Sequence, residues 1–377
     1  MKFVNLCNPL FLRKLSLVNF KNYAEFEYEF GREVTCFYGL NGAGKTNVLD
    51  AIYYLSNCKS YFNPVDSQNI RFDEKFFLIQ GEIEKEGKTA NLHVGVKKGH
   101  KKSVKKNKVE YEKLSDHIGH FPTVVVSPYD IDLILEGSET RRRLMDYIIS
   151  QYDKKYLEAL IKYKKIVQQR NSLLKRFAEQ RLFEPESIEI WDYQMIPLGN
   201  YIFEARKLFL DEFIVKFKEV YREIAGTDED VSLIYRSDLL EGDFGQILKD
   251  SYQSDHYKQH TTRGIHRDDL TFQIHGQPIK KFGSQGQQKT FLIALKLSKF
   301  DYLKEILGVK PFLLLDDIFD KLDENRVAHL MKLVSEHNFG QVFITDTEKN
   351  RVEQAFNKWE IEIDFKEILK YEQEKVE

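Results

Sequence analysis

Cysteine is scarce: the 377 residues hold only Cys7, Cys36 and Cys58, far apart and with no Cys-x-x-Cys pair. That spacing excludes a disulfide framework and offers no zinc site, leaving small buried thiols. With 8 prolines and 20 glycines, the chain is neither collagen-like nor of low complexity. No stretch approaches the roughly 18 to 20 apolar residues that a membrane span needs. The apolar patch from Val4 to Leu12 is broken by Asn5, Cys7, Asn8 and Pro9, and no small-residue cleavage site follows it. A protein without a signal peptide or a membrane partner, resident in the cytoplasm, is therefore expected. A net charge of -2 provides no global positive field, so any binding to nucleic acid must rest on local patches. Internal repeats and sustained heptads are also absent.

What is present, 42% hydrophobic and 31% charged residues, describes a globular chain. Its length suits two domains, or one core with a sizeable insertion. Alternation of apolar and polar residues around Leu15 to Phe20 and Phe26 to Phe30 predicts strands of a half-exposed sheet. A buried strand, Val34 to Tyr38, leads into a glycine loop, and Val48, Leu49, Ile52, Tyr53 and Leu55 then recur at helical spacing. Strands are predicted at Phe76 to Ile83 and Ala90 to Val96. From about Ser138 to Asp255 the pattern is helical, with interruptions expected near Pro185, Pro197 and Gly226. Strands return at Leu270 to Ile274, Phe312 to Leu315 and Val342 to Thr345, around a helix over Thr290 to Leu303. The expected fold is α/β, a P-loop ATPase core of mixed sheet and helices with an inserted, mostly helical lobe. The boundaries are 1–125 and 259–377 for the two parts of the core and 126–258 for the insertion.

Three motifs carry chemistry. Gly39-Leu40-Asn41-Gly42-Ala43-Gly44-Lys45-Thr46 satisfies G-x-x-x-x-G-K-[ST] between a predicted strand and a predicted helix. The glycines let consecutive N–H groups turn toward phosphate, and the helix N-terminus adds positive potential. Lys45 meets the β and γ phosphates of ATP, and the Thr46 hydroxyl suits magnesium. The strand Phe312 to Leu315 ends in Asp316 and Asp317. Asp316 is the second magnesium anchor, and Asp317 either accepts a proton from the attacking water or orients it, or caps the next turn. Before the helix at Thr290 lies Gly283-Ser284-Gln285-Gly286-Gln287, whose hydroxyl and backbone donors suit a phosphate and also suit an ordinary helix cap.

Taken in order, glycine loop, Ser-x-Gly-Gln motif and carboxylate strand resemble the ABC-type ATPases. In that architecture Ser284, Gln285, Gly286 and Gln287 of one copy would close over ATP held by the other. Further stretches narrow the resemblance to the RecF family, related to SMC head domains. They are Asn19-Phe20-Lys21-Asn22-Tyr23, Thr46-Asn47, Ser127-Pro128-Tyr129-Asp130, Arg141-Arg142-Arg143 with Asp146, Arg170 to Lys175, and His266-Arg267-Asp268-Asp269-Leu270. The resemblance implies a weak ATPase used as a switch, with ATP and Mg2+ as cofactors. It also implies an ATP-dependent homodimer on single-stranded or gapped DNA, which works with RecR and RecO to load a recombinase. Asp320 and Asp323, just past the carboxylate strand, would form a D-loop. Departures are Asp50 in place of glutamate, Ile265 in place of proline, Lys289 in place of arginine, and Tyr61-Phe62 in place of an aromatic-arginine pair. Thr345-Asp346-Thr347 stands where ABC transporters carry a switch histidine.

A run of seven lysines, Lys97, Lys98, Lys101, Lys102, Lys105, Lys106 and Lys108, predicts a basic hairpin, either a DNA contact or a solvated tip. Arg141, Arg142 and Arg143 open a helix and are either DNA contacts or structural pairs for Glu136, Glu139 or Asp146. The resemblance of His266 to Asp269 to the family implies a place near the nucleotide or the dimer seam, whereas their dense ionisable character equally suits a buried ion-pair network. The competing functional classes are an SMC-like structural ATPase and a nucleotide-driven protein adapter without DNA binding.

Overall fold

A computed structural model describes residues 10–318, 339–357 and 361–370. Two compact units divide the chain, one of residues 1–130, 223–226 and 289–377, the other of residues 131–222 and 227–288.

The first unit opens with β1 (Leu10–Phe20), β2 (Tyr23–Glu29), β3 (Val34–Tyr38) and α1 (Lys45–Asn57). After these come β4 (Phe76–Lys85), β5 (Lys88–Lys97), β6 (Ser103–Lys106), β7 (Val109–Glu110) and β8 (Thr123–Val126). Leu10 and Leu12 are buried on alternate positions of β1, but Leu15 and Leu17 fall out of phase with them. A bulge between Leu12 and Lys14 restores the phase, so all four leucines reach the core. β1 and its antiparallel neighbours form a six-stranded sheet ordered β2-β1-β4-β5-β6-β7.

In the second unit are α2 (Asp132–Leu135), α3 (Ser138–Tyr152), α4 (Lys154–Gln180) and most of α5 (Pro185–Ala225). Then follow β9 (Val231–Arg236), α6 (Phe244–Asp250), α7 (Tyr252–Lys258), β10 (Asp269–Ile274), β11 (Gln277–Pro278) and α8 (Ile279–Phe282). The expected break at Pro197 is absent: α5 runs 41 residues through it. Proline removes one N–H donor and crowds one carbonyl, but tertiary packing along the helix outweighs that local loss. Pro185 stands at the helix start, where its missing N–H costs nothing, and Gly226, with φ 64°, follows the helix end.

α9 (Gln285–Leu307) leads back into the first unit, with β12 (Phe312–Asp316), β13 (Val342–Asp346), a helix over Lys349–Asn357 and β14 (Ile363–Glu367). These strands join β3 and β8 in a parallel sheet ordered β14-β3-β13-β12-β8. β8, β12 and β13 are buried throughout, as sequence-continuous apolar strands of a parallel sheet should be.

The second boundary differs from the one read in the sequence. Residues 259–288 belong with the helical unit, because β10 pairs along its whole length with β9 in a small sheet. Strand periodicity after residue 259 identifies a strand but not the sheet it joins.

Candidate nucleotide site

All the P-loop residues lie in the first unit, Gly39 to Gly44 between β3 and α1 and Lys45 and Thr46 at the start of α1. Gly39, Gly42 and Gly44 take φ values of 145°, 81° and 110°, a region that side chains resist. Space matters as well: a Cβ on Gly39 would stand 2.4 Å from the Ile368 carbonyl oxygen, and one on Gly44 2.3 Å from the Asn22 amide nitrogen. Asn22 accounts for that close approach. Its Nδ2 donates to the Ala43 carbonyl at 2.9 Å, and its Oδ1 accepts from Asn47 Nδ2 at 2.7 Å. The Tyr23 hydroxyl donates to the Gly44 carbonyl at 3.1 Å. Lys45 Nζ lies inside the loop, donating to the carbonyls of Gly39 at 2.8 Å and Leu40 at 3.0 Å. Burial pulls the pKa of this ammonium down, and Asp317, Asp346 and Asp316 oppose that pull.

Registers of the parallel sheet bring the carboxylates to the loop. Asp316 pairs with Thr345 across β12 and β13, and Asp346 with Tyr38 across β13 and β3, so the strand ends converge on one edge. Ligands of open α/β sheets bind at that carboxyl edge. Asp316 is 3% exposed. Its Oδ1 accepts from Thr46 Oγ1 and from Thr345 Oγ1, each at 2.8 Å, and its Oδ2 accepts from Ser127 Oγ at 3.3 Å. Burial pushes its pKa up and Asp317 adds to the rise, against the three hydroxyl bonds. Asp317 has a left-handed φ of 48°, held by its N–H donating to Thr345 Oγ1 at 3.0 Å. One buried oxygen of Asp317, Oδ1, has no hydrogen-bond partner among the described residues, and the same is true of Asp346 Oδ2. Hydroxyl and carboxylate oxygens with unspent acceptor capacity fit a hard cation such as Mg2+.

Thr46, Asp316 and Lys45 therefore meet as their sequence motifs suggest. Ser127 and Thr345 join them, although their types alone did not single them out; each directly follows or ends an apolar strand, the signal that could have found them. Ser284, Gln285, Gly286 and Gln287 belong to the second unit. There Ser284 caps α9: its Oγ accepts from the Gln287 N–H at 3.2 Å, and Gln287 Oε1 accepts from the Ser284 N–H at 2.9 Å, a reciprocal capping box. Asp320 and Asp323 lie outside the described residues.

Several other expectations shift. Lys102 is not an available DNA contact, because its ammonium donates to Asp66 at 2.7 Å and to the Cys58 carbonyl at 2.5 Å. Lys97, Lys98, Lys101, Lys105 and Lys108 are exposed, and Lys106 is half-buried over the Phe121 ring. Arg141 pairs with Asp269 at 2.8 Å and reaches only the backbone carbonyl of Glu136, at 3.0 Å; Arg142 bonds the Asp268 carbonyl and Ser138, and Arg143 meets the Glu139 carboxylate at 3.4 Å. Within the His266 to Asp269 stretch, Asp268 sits in a buried network with His266 nearby, whereas Arg267 is exposed. Arg206 bridges Asp268 at 2.6 Å and Asp146 at 2.8 Å, the Tyr235 hydroxyl meets Asp268, and His266 lies between Tyr163 and the Thr261 carbonyl at 3.0 Å each. Arg170 is equally buried, between Asp192 and Asp255. The loop of Tyr61-Phe62 is tied down: the Tyr61 N–H donates to Asp50, its hydroxyl to Asp130, and Lys296 pairs with Asp130 at 2.6 Å. Asp50 itself bridges Lys21 at 2.6 Å.

Comparison with known proteins gives the chain's family and fold. The family model described as RecF/RecN/SMC N terminal domain matches residues 11–368. The DNA replication and repair protein RecF of Flavobacterium johnsoniae is 52% identical over 342 residues, 91% of this chain and 95% of that protein. That of Phocaeicola vulgatus is 48% identical over 355 residues, 94% of this chain and 95% of its own. Among solved structures, the recombination mediator protein RecF-ATPrS of the RecFOR pathway superposes with a TM-score of 0.86 at 31% identity, covering 96% of this chain and 97% of its own. The Smc head domain of Pyrococcus furiosus shares the fold at a TM-score of 0.55 and 17% identity, over 96% of this chain and 94% of its own.

Proposed function

This chain belongs to the RecF family and has its ABC-type ATPase fold, and from that premise we propose that it is an ATP-dependent DNA-binding recombination mediator in DNA replication and repair. Gly39 to Thr46 cradle the phosphates, and Thr46 and Asp316 hold magnesium. The single observation that carries this proposal is the 2.8 Å hydrogen bond from Thr46 to Asp316, which joins the phosphate loop to the carboxylate strand across 270 positions of sequence. Bound magnesium would supply charge neutralisation on the phosphate oxygens. Lys45 leaves the Gly39 and Leu40 carbonyls to take the β and γ phosphates, an exchange that draws its depressed proton affinity back up. Asp317, with a free buried oxygen, holds or deprotonates the attacking water.

Ser284, exposed at the head of α9, would present its hydroxyl and the helix N-terminus to ATP bound by a second copy. ATP thereby joins two copies on gapped or single-stranded DNA, slow hydrolysis releases them, and RecR and RecO help to load the recombinase. These finer steps rest on the family relationship.

The test is particle size with and without ATP, with gapped DNA as a third component. Lys45→Ala should abolish ATP binding and ATP-induced dimers, and Asp317→Asn should trap the dimer on DNA. ATP-stimulated DNA binding that persists in Lys45→Ala would sink the proposal.

A further inference from the structure

Ahead of β4 the chain makes a tight turn from Arg71 to Glu74. The Glu74 N–H donates to the Arg71 carbonyl at 3.0 Å, and Asp73 takes a left-handed φ of 63°. Both flanks are anchored. Buried Ile70 bridges Phe20, the Arg71 N–H donates to the Asn19 carbonyl at 2.9 Å, and Phe77 is wholly buried in β4. At the tip of this fixed turn stands Phe72, 85% exposed. Burying a phenylalanine ring stabilises a fold, and here the fold leaves that ring in water.

The turn adjoins the basic hairpin. The Lys98 N–H donates to the Lys75 carbonyl at 3.0 Å, and Lys97 lies opposite Phe76 across β4 and β5. Lys75, Lys97, Lys98 and Lys101 are exposed, and none has a carboxylate partner among the described residues. Lys102, by contrast, turns inward to Asp66. An exposed ring on a turn whose backbone is tied to a lysine-rich hairpin is the combination that single strands use, with bases stacked on the aromatic and phosphates on the cations. The Phe72 turn also carries Asp73 and Glu74, whose charge keeps phosphate on the lysine side and leaves the ring to an uncharged base.

We infer that Phe72 is a stacking platform for an unpaired nucleobase, with Lys75, Lys97, Lys98 and Lys101 holding the flanking phosphates. Bases within a duplex are already stacked and cannot reach it, so this subsite distinguishes a gap from intact duplex. The inference rests on the DNA-binding function proposed above and assigns residues to its preference for unpaired strands.

The experiment measures binding of the full chain, with ATP and magnesium at fixed salt, to a gapped duplex, the same gap with abasic sugars, an intact duplex and an oligo-dT strand. Phe72→Ala should weaken binding to the gapped duplex and oligo-dT roughly 5- to 150-fold, the range of one lost base stack. It should leave the intact duplex and the abasic gap unchanged. Phe72→Trp should restore binding and show fluorescence quenching by oligo-dT. Lys98→Ala should weaken all four and flatten the salt dependence on oligo-dT by about 0.7 in log-log slope. Equal preference for the gap in Phe72→Ala and the parent, or an equal loss on intact duplex, overturns the platform while leaving DNA binding in place. Absence of binding to any of the four by the parent overturns both. Because Phe72 covers little, an unchanged melting temperature in Phe72→Ala confirms an intact fold.

Discussion

Replacing Asp316 by asparagine should destroy ATP hydrolysis and, in the free protein, raise stability. The carboxyl group is 3% exposed, and its pKa is pushed above the ordinary value mainly by burial, with Asp317 reinforcing the effect and the Thr46, Thr345 and Ser127 hydroxyls opposing it. A raised folded pKa means that the group stabilises the fold below its unfolded value of about 3.9 and that this contribution is lost as pH rises through the folded value. At pH 7.5 the charged form is therefore a liability of the nucleotide-free protein. Asparagine keeps the shape and can still accept from Thr46 and Thr345 without a buried charge. Each tenfold change in proton affinity corresponds to about 1.4 kcal/mol, and 1 kcal/mol moves the melting temperature of a unit of about 150 to 250 residues by about 2 to 4 °C. A rise is expected, about 2 to 4 °C for each kcal/mol that the buried charge costs.

Scanning calorimetry with chelator and no nucleotide, from pH 8 to pH 4, measures the difference between Asp316→Asn and the parent. It should be largest at high pH and shrink toward zero near pH 4. His117 and His266, both pushed down to about 4 by burial, lose stabilisation as pH falls from 6.5 through 4, but equally in both proteins, so they cancel in the difference. A variant less stable than the parent at pH 7.5, or a difference that does not change with pH, refutes the reasoning.

Gly44→Ala places a Cβ 2.3 Å from the Asn22 amide at a φ of 110°, so ATP affinity by calorimetry should fall at least about tenfold through a displaced loop, with a strain of about 1 to 3 kcal/mol. Arg206→Met removes the counter-charge of buried Asp146 and Asp268 and should cost about 3 to 5 kcal/mol in urea unfolding; a loss under about 1 kcal/mol would show the network to be dispensable. Lys102→Ala should cost about 1 to 2 kcal/mol of stability by breaking its bonds to Asp66 and the Cys58 carbonyl, with no change in the salt dependence of DNA binding. A reduced salt slope in that variant would return Lys102 to the DNA face.

The glycine loop, the carboxylate strand and the apolar strands around them were legible in the sequence, because their information is local; their parallel order was not. A phosphate loop needs glycine where φ is positive, and a buried parallel strand needs an unbroken apolar run ending in the functional residue. Helical spacing likewise announced α1, and a helix was expected within α9. What sequence could not settle was every question of which partner a side chain meets. Seven lysines within a dozen positions are alike as letters, yet the fold turns Lys102 inward to Asp66 while Lys98 remains in water. Arg141 had three carboxylates within a few residues, and it is paired instead with Asp269, 128 positions away. Pro197 reads as a helix breaker and is carried through the middle of a 41-residue helix, because packing along both flanks exceeds the loss of one hydrogen bond. Ser127 and Thr345 became part of the site only when strand register set them beside Asp316. Local backbone demands are written residue by residue, whereas charge pairing, register and burial depend on distances that exist only once the chain has folded.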